Sequence, residues 1–140
     1  MKKSGFTLLE ILIVLSIIAI LMAISIPYYY SYKKTAYKTM IKNDVRNTIA
    51  DVSLFWSNYK VYPQLNPNPC LANLSVCTLS DGNHTDIINK SKGVILELTI
   101  IASCPNDSTN RGFEIKGSHV ELNNYTFSYN SCNQRFEETQ

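Results

Sequence analysis

Apolar residues dominate the first part of the chain. From Leu8 to Ile26 the only charged side chain is Glu10. A stretch of this length is sufficient for one helical crossing of a hydrocarbon layer about 30 Å thick. An ionised carboxylate in such a helix is unfavourable by roughly 2.5 to 3.5 kcal/mol at the bilayer centre and by less near the interface. The pattern therefore predicts a membrane-spanning helix whose one acidic residue requires a partner.

The helical period continues after Pro27, but polar residues now fill the positions between the apolar ones. This predicts that residues 30–62 form the amphipathic half of one long helix that ends near Tyr59. Pro27 removes a backbone hydrogen bond and disfavours the helical conformation of Ile26, so a kink or local melting is expected there. The apolar residues at steps of three and four are Tyr37, Ile41, Val45, Ile49, Val52, Phe55, Trp56 and Tyr59.

The rest of the chain predicts a small head. Pro63, Pro67 and Pro69 stop the helix, and residues 63–92, rich in Asn, Ser, Asp and Pro, are predicted to form a loop region. Residues 93–140 are predicted to form an antiparallel sheet of three or four strands and a C-terminal segment. Packing this sheet on the amphipathic helix would bury both apolar faces, which gives an α+β fold. The alternating apolar residues are Val94, Leu96, Leu98, Ile100, Phe113, Ile115, Tyr125, Phe127 and Tyr129.

Length and charge limit the alternatives. The 140 residues, 45% of them hydrophobic, accommodate one membrane helix and one small head. The formal net charge is +2, from 13 basic and 11 acidic residues. Without Lys2 and Lys3 there are 11 basic and 11 acidic residues. The remaining chain is therefore not a basic nucleic-acid-binding protein overall.

The four cysteines all follow the apolar segment, in the part expected to face an oxidising compartment, so disulfides are the default expectation. A zinc site is the rival, but the spacings lack a Cys-x-x-Cys pair. Three pairings are open. Proximity in sequence favours Cys70 with Cys77 and Cys104 with Cys132.

The segment before the apolar run has the composition of a leader. Lys2 and Lys3 form a basic stub, and the small residue Gly5 precedes the apolar run, whereas a secretory signal places its cleavage site after that run. The residues from Gly5 to Glu10 read Gly-Phe-Thr-Leu-Leu-Glu. This stretch resembles the type IV prepilin family, whose leader ends in Gly followed by Phe-Thr-Leu-(Leu/Ile)-Glu. The resemblance is close over residues 1 to about 30 and covers the remainder only in general layout.

The resemblance implies how the chain is processed and assembled. Residues 1–5 would be a leader removed by the prepilin peptidase, which also methylates the new N-terminus on Phe6. Residues 6–29 would be the transmembrane half of the helix and later the filament core, and residues 30–140 the periplasmic or extracellular head. The Glu10 carboxylate would meet the cationic Phe6 amine of another chain. The partners implied are copies of the chain and other pilins, the peptidase and the inner-membrane assembly platform.

The same resemblance implies a type IV pilin fold with a helix-interrupting proline where Pro27 stands. Pilins commonly join a cysteine of the sheet to one near the C-terminus, which Cys104 and Cys132 would match. A type IV pilus subunit supporting adhesion, motility or DNA uptake is therefore the predicted function. It would reside in the inner membrane before assembly and in the extracellular pilus afterwards.

Other members of the family remain open. The Tyr-Lys-Val-Tyr-Pro stretch at residues 59–63 is similar to the Tyr-Pro that often follows the long helix of pseudopilins of type II secretion. The two expected disulfides favour a pilin instead. A DNA-binding competence pilin or an adhesive minor pilin is a further alternative within the family. Outside the family, the alternative is a single-pass membrane anchor with an incidental acidic residue.

Two clusters past the membrane boundary have alternative interpretations. Lys34, Lys38 and Lys42 share one helix face that could bind DNA phosphates or lipid headgroups, but a solvated face that pairs with acidic groups of neighbouring subunits is favoured. Tyr28, Tyr29, Tyr30 and Tyr32 are typical of membrane interfaces, which explains them without electron transport.

Catalytic residues are not predicted. His84 and His119 have no carboxylate or cysteine at catalytic or ligand spacing. The sequence has no Gly-rich phosphate loop, nucleophile elbow or paired-carboxylate motif. A structural subunit without cofactor or metal is therefore expected, not an enzyme.

Overall fold

The structure is a computed structural model that describes residues 7–105 and 110–139. The chain forms two compact units, Met1–Thr35 and Ala36–Gln140. One helix and seven strands follow in chain order: α1 Leu8–Tyr59, β1 Gln64–Asn66, β2 Val76–Ser80, β3 Thr85–Asn89, β4 Val94–Ile101, β5 Gly112–His119, β6 Leu122–Asn130 and β7 Arg135–Thr139.

Helix α1 ends where the sequence indicates. Lys60 adopts a left-handed conformation with a φ of 59°, and its N–H donates to the carbonyl of Trp56 at 2.8 Å. A left-handed residue just after the last turn is a common helix stop. At Pro27, by contrast, the helix continues, so local melting does not occur. Pro27 lacks the N–H for one backbone hydrogen bond, but the helical turns before and after it remain helical.

The second unit has its core between α1 and a four-stranded antiparallel sheet in the order β4-β5-β6-β7. Ile41 and Val45 of α1 come so close to Gly117 of β5 that a Cβ there would stand 2.8 Å and 2.6 Å from their methyl groups. Only glycine therefore allows the helix to approach the sheet at this position. The predicted α+β class, with a long helix packed on an antiparallel sheet, is confirmed.

The prediction of a loop region over residues 63–92 is wrong. These residues contain a second antiparallel sheet in the order β1-β2-β3. Its strands are three to five residues long and rich in Thr, Ser, Asp and Asn, residue types that are also common in turns. They nevertheless alternate in burial, with Cys77, Leu79 and Ile88 in the core. A tight turn containing Gly82, with a φ of 95°, joins β2 to β3.

Candidate functional site

The apolar first half of α1 is the first candidate site. Its large apolar side chains from Leu8 to Ile26 are between 42% and 85% exposed. The helix is long and apolar enough to cross a membrane, by length and composition. Soluble proteins rarely expose a contiguous apolar surface of this kind, because water contact with it is unfavourable. This helix fits a membrane-anchored precursor.

Glu10 lies in the first turn of this helix. Its backbone N–H faces the Thr7 hydroxyl at 3.3 Å and the Thr7 carbonyl at 3.1 Å. Thr7 is therefore the N-cap, and Glu10 takes the third position of a Thr-x-x-Glu capping pattern. This cap was not predicted from the sequence, although the Thr-x-x-Glu spacing indicates it. The positive end of the helix dipole also favours an anionic side chain in the first turn.

The Glu10 carboxylate has no ion pair with any residue of the described ranges 7–105 and 110–139. The sequence explains why, since no Lys or Arg occurs between Phe6 and Tyr32. Gly5 and Phe6, the predicted cleavage pair, lie outside the described residues. The predicted contact between Glu10 and the Phe6 amine of another chain therefore stays a prediction.

The tyrosine cluster lies past Pro27 on the exposed surface of the same helix. The four side chains are 64–78% exposed, and the rings of Tyr29 and Tyr30 meet edge to face with centroids 6.1 Å apart. Exposed rings with polar tips are typical of membrane–water interfaces. The cluster members are Tyr28, Tyr29, Tyr30 and Tyr32.

The lysine face is engaged within the head. Lys42 Nζ lies 2.8 Å from Glu138 of β7, and Lys38 Nζ lies 4.0 Å from the same side chain. The hydrogen bond from Lys42 lowers the pKa of Glu138, and the same bond raises the pKa of Lys42. Lys38 and Lys42 also lie over the rings of Tyr125 and Phe127. Two of the three predicted cations therefore have an acidic partner in their own chain.

Partly buried hydrogen bonds between Asp44 and Ser91, called here the Asp44–Ser91 clasp, connect α1 to the loop between β3 and β4. Asp44 accepts hydrogen bonds from the Ser91 N–H at 2.7 Å and from the Ser91 hydroxyl at 3.2 Å. Lys90 Nζ donates to the carbonyls of Leu74 and Val94. Burial raises the pKa of Asp44 and lowers that of Lys90. Since Asp44 and Ser91 are far apart in sequence, no local pattern indicated the clasp.

Disulfides join Cys70 to Cys77 and Cys104 to Cys132. The first links the segment before β2 to β2 itself, inside the core. The second links the segment after β4 to the turn between β6 and β7. Gly112 lies against this bond, and a Cβ there would stand 2.5 Å from the Cys132 sulfur. Both bonds therefore brace the head at points where its loops leave the sheets.

The two histidines lie against aromatic rings, and His84 also meets a carboxylate that was not expected from the sequence, since its Nδ1 lies 3.1 Å from Asp81 Oδ2. His119 is buried and stacks on Tyr37 with centroids 4.1 Å apart, and His84 stacks on Tyr59 at 3.9 Å. Burial lowers the pKa of His119, whose Nδ1 accepts the Glu121 N–H at 3.1 Å. Within the described ranges, no group of three or more His, Cys, Asp or Glu residues could hold a metal ion.

Comparison with known proteins identifies the N-terminal segment. A family model described as the prokaryotic N-terminal methylation motif matches residues 1–26. The searches of curated proteins and of solved structures found no match. The matched range contains Gly5, Phe6, Glu10 and the whole exposed apolar stretch from Leu8 to Ile26. The resemblance drawn from the sequence is thus confirmed for this segment: residues 1–26 carry the prokaryotic N-terminal methylation motif, the signature of type IV prepilins.

Proposed function

We propose that the chain is a structural subunit of a type IV pilus filament, made as a prepilin and assembled from the inner membrane. One observation carries the proposal. The matched motif leads directly into an exposed apolar helix whose single charge, Glu10, has no ion pair in the described part of the chain. An exposed apolar surface of this size is stabilised by contact with apolar groups outside the chain, and a lone carboxylate is stabilised by a cation outside it.

Lipid and neighbouring subunits supply those partners in turn. Before assembly the segment spans the inner membrane, where its apolar side chains contact acyl chains. During assembly it exchanges these contacts for contacts with the same segment of other subunits, which van der Waals packing stabilises. The heads then form the outer surface of the filament, in which this subunit supports adhesion, motility or DNA uptake.

Glu10 sets the register of assembly in this proposal. Cleavage after Gly5 creates a cationic amine on Phe6, which the peptidase methylates. In a low-dielectric filament core, an ion pair between this amine and the Glu10 carboxylate of a neighbour offsets the unfavourable burial of either charge. A subunit that docks at another height leaves both charges unpaired, so one axial position is strongly preferred.

Two relatives of this function are distinguished by other features. A pseudopilin would share the helix and the Tyr62-Pro63 pair, and its periplasmic head would also face an oxidising compartment, so a filament outside the cell is the feature that separates a pilin from it. A DNA-binding minor pilin would use the lysine face. That face is partly neutralised by Glu138, which argues against phosphate binding there.

Mass spectrometry of sheared filaments tests the proposal. The filament protein should begin with N-methylated Phe6, and a Gly5→Ala precursor should be processed far better than Gly5→Glu, because the peptidase site admits only a small side chain before the cut. Gly5→Glu should accumulate uncut in the membrane and be absent from filaments. Filaments built from chains that retain Met1 would contradict the proposal.

A further inference from the structure

Two adjoining cavities lie in the head where the chain leaves α1. The larger, of about 530 Å³, lies between the segment after α1, strand β1 and the β2–β3 turn. The smaller, of about 230 Å³, lies beside the last turn of α1. Both are lined by Val61, Tyr62 and Arg111. Together they form one surface feature, called here the Tyr62 groove, and the larger cavity has the size of common ligand sites.

Tyr62 forms a fixed aromatic wall of this groove. Its hydroxyl donates to the Arg111 carbonyl at 3.1 Å. Its ring lies near Trp56, with centroids 6.2 Å apart and planes 29° apart, and near Phe113 at 5.9 Å. These contacts hold the ring without a ligand. Trp56 and Val61 remain 42% and 45% exposed, so the wall presents apolar surface to the groove.

Some polar side chains of the groove already make hydrogen bonds within the head, and others are available to bind a ligand. The Asp81 carboxylate accepts the N–H groups of His84 and Asn83 at 2.7 Å and 2.8 Å and meets His84 Nδ1 at 3.1 Å, and these bonds lower its pKa to about 2. It is therefore ionised but already bonded. The side chains of Gln64, Asn66 and Arg111 line the larger cavity and make no hydrogen bond or ion pair to any described residue.

These groups define the chemistry of a ligand. A guanidinium binds a carboxylate through two parallel hydrogen bonds, and Lys60 adds a second positive charge beside Trp56, with Nζ 4.9 Å from the ring centroid. An amide side chain offers a donor and an acceptor side by side, which fits neighbouring hydroxyl groups. An aromatic wall suits the apolar face of a sugar ring.

We infer that the Tyr62 groove binds an acidic saccharide, with the carboxylate of a uronic acid on Arg111, its hydroxyls on Gln64 and Asn66, and its ring against Tyr62. A nucleic acid strand fits less well. Affinity for a phosphate backbone grows with the number of phosphates neutralised. Among the residues that the structure describes, the groove has two cations, Arg111 and Lys60, and Asp81 is ionised on its rim.

The inference goes beyond filament assembly and can be tested without it. Trp56 is the only tryptophan of the chain and lines the smaller cavity, so its fluorescence reports directly on the groove. The full-length chain in detergent micelles is titrated with a galacturonate trimer and with the fully methyl-esterified trimer, in which a methyl group on each carboxylate removes its charge. The acid should give a saturable change in Trp56 emission, and the ester should bind about tenfold more weakly or less.

Variants locate the site. Arg111→Gln should weaken binding of the acid roughly 10- to 100-fold and remove the preference for the acid over the ester. Gln64→Ala, an exposed truncation that leaves the wall intact, should weaken acid and ester alike by several fold. Arg135→Gln changes another exposed arginine, on β7 outside the groove, and should bind as the parent chain does.

Several results would overturn the inference. They are the absence of a saturable response to the acid, equal binding of acid and ester, or equal losses in Arg111→Gln and Arg135→Gln. Tighter binding of an octathymidylate than of the galacturonate trimer, falling steeply with added salt, would assign the groove to nucleic acid instead. A chain that binds uronate but forms no filaments would leave this site standing and contradict only the proposed assembly.

Discussion

The two halves of α1 are one continuous helix in sequence but belong to different environments. In the head, Ile41, Val45, Val52 and Phe55 are completely buried. In the first unit every large apolar side chain from Leu8 to Ile26 is exposed. The acidic residues differ in the same way, because Asp44 has partners in its own chain and Glu10 has no ion pair with a described residue. The head buries its apolar residues within its own chain, whereas the first half of the helix leaves its apolar residues exposed, and we propose that lipid or other subunits cover them.

Truncating one apolar residue in each half gives the largest contrast. Phe55→Ala should lower the free energy of unfolding of the head by about 3 to 5 kcal/mol, because it leaves a cavity in a filled core. Leu15→Ala, at a position that is 61% exposed, should leave that free energy within about 0.5 kcal/mol. Denaturant unfolding of the full chain in micelles, followed by near-UV circular dichroism, measures both. Similar losses in the two variants would contradict the division of the helix.

The disulfides reinforce the head alone. Cys104 and Cys132 are 28 residues apart, so their bond should contribute roughly 3 to 4 kcal/mol by restricting the unfolded chain. Replacing both with Ala should lower the unfolding free energy of the head by that amount and leave membrane insertion unchanged. The same denaturant titration measures the loss, and peptide mapping without reductant tests the bond. Free thiols at both positions in the parent chain would refute the pairing.

The two carboxylates provide a smaller and pH-dependent contrast. Burial raises the pKa of Asp44 above the 3.8 of an ordinary aspartate, so near that pH the folded head binds more protons at this site than the unfolded chain does. The contribution of Asp44 to stability is thus fully present below pH 3.8 and decreases as pH rises through the folded pKa. Asp44→Asn should remove this decrease.

Stability of the head measured from pH 3 to pH 7 for the parent, Asp44→Asn and Glu10→Gln tests this sign. As pH rises, the difference in unfolding free energy between the parent and Asp44→Asn should change against the parent by about 1.4 kcal/mol for each unit by which burial raises the pKa of Asp44. Glu10→Gln, a change outside the head, should follow the parent curve. A difference that moves in the opposite direction would show that the Ser91 hydrogen bonds outweigh desolvation.

The parts of the fold that were predictable are those with a local signal. The alternation from Val94 to Ile100 and the helical period from Tyr37 to Tyr59 both indicated their elements. Strand β7 carries no such signal, because all five of its residues are exposed and its place depends on pairing with β6. The sheet of β1, β2 and β3 was missed since its short polar strands resemble turns.

The same distinction holds for the candidate sites. The run from Gly5 to Glu10 is contiguous, so the methylation motif could be recognised from sequence and the family model matches it. The Asp44–Ser91 clasp joins residues that are distant in the chain, and the Tyr62 groove assembles α1, β1 and the β2–β3 turn. Contacts of this kind depend on the tertiary fold and leave no spacing that a sequence could reveal.

The central claim is that Glu10 acts between subunits, and filament formation by a Glu10→Leu subunit as the sole pilin tests it most directly. Leucine favours membrane insertion, so the variant should be made, inserted and cut after Gly5 as the parent is. It should nevertheless enter filaments poorly, because the Phe6 amine of the incoming subunit loses its counter-charge. Ser16→Leu, the same replacement at a neutral position of this helix, is the control and should assemble normally. Electron microscopy of sheared material should show few, short filaments for Glu10→Leu alone, and filaments of parental number and length would contradict the account.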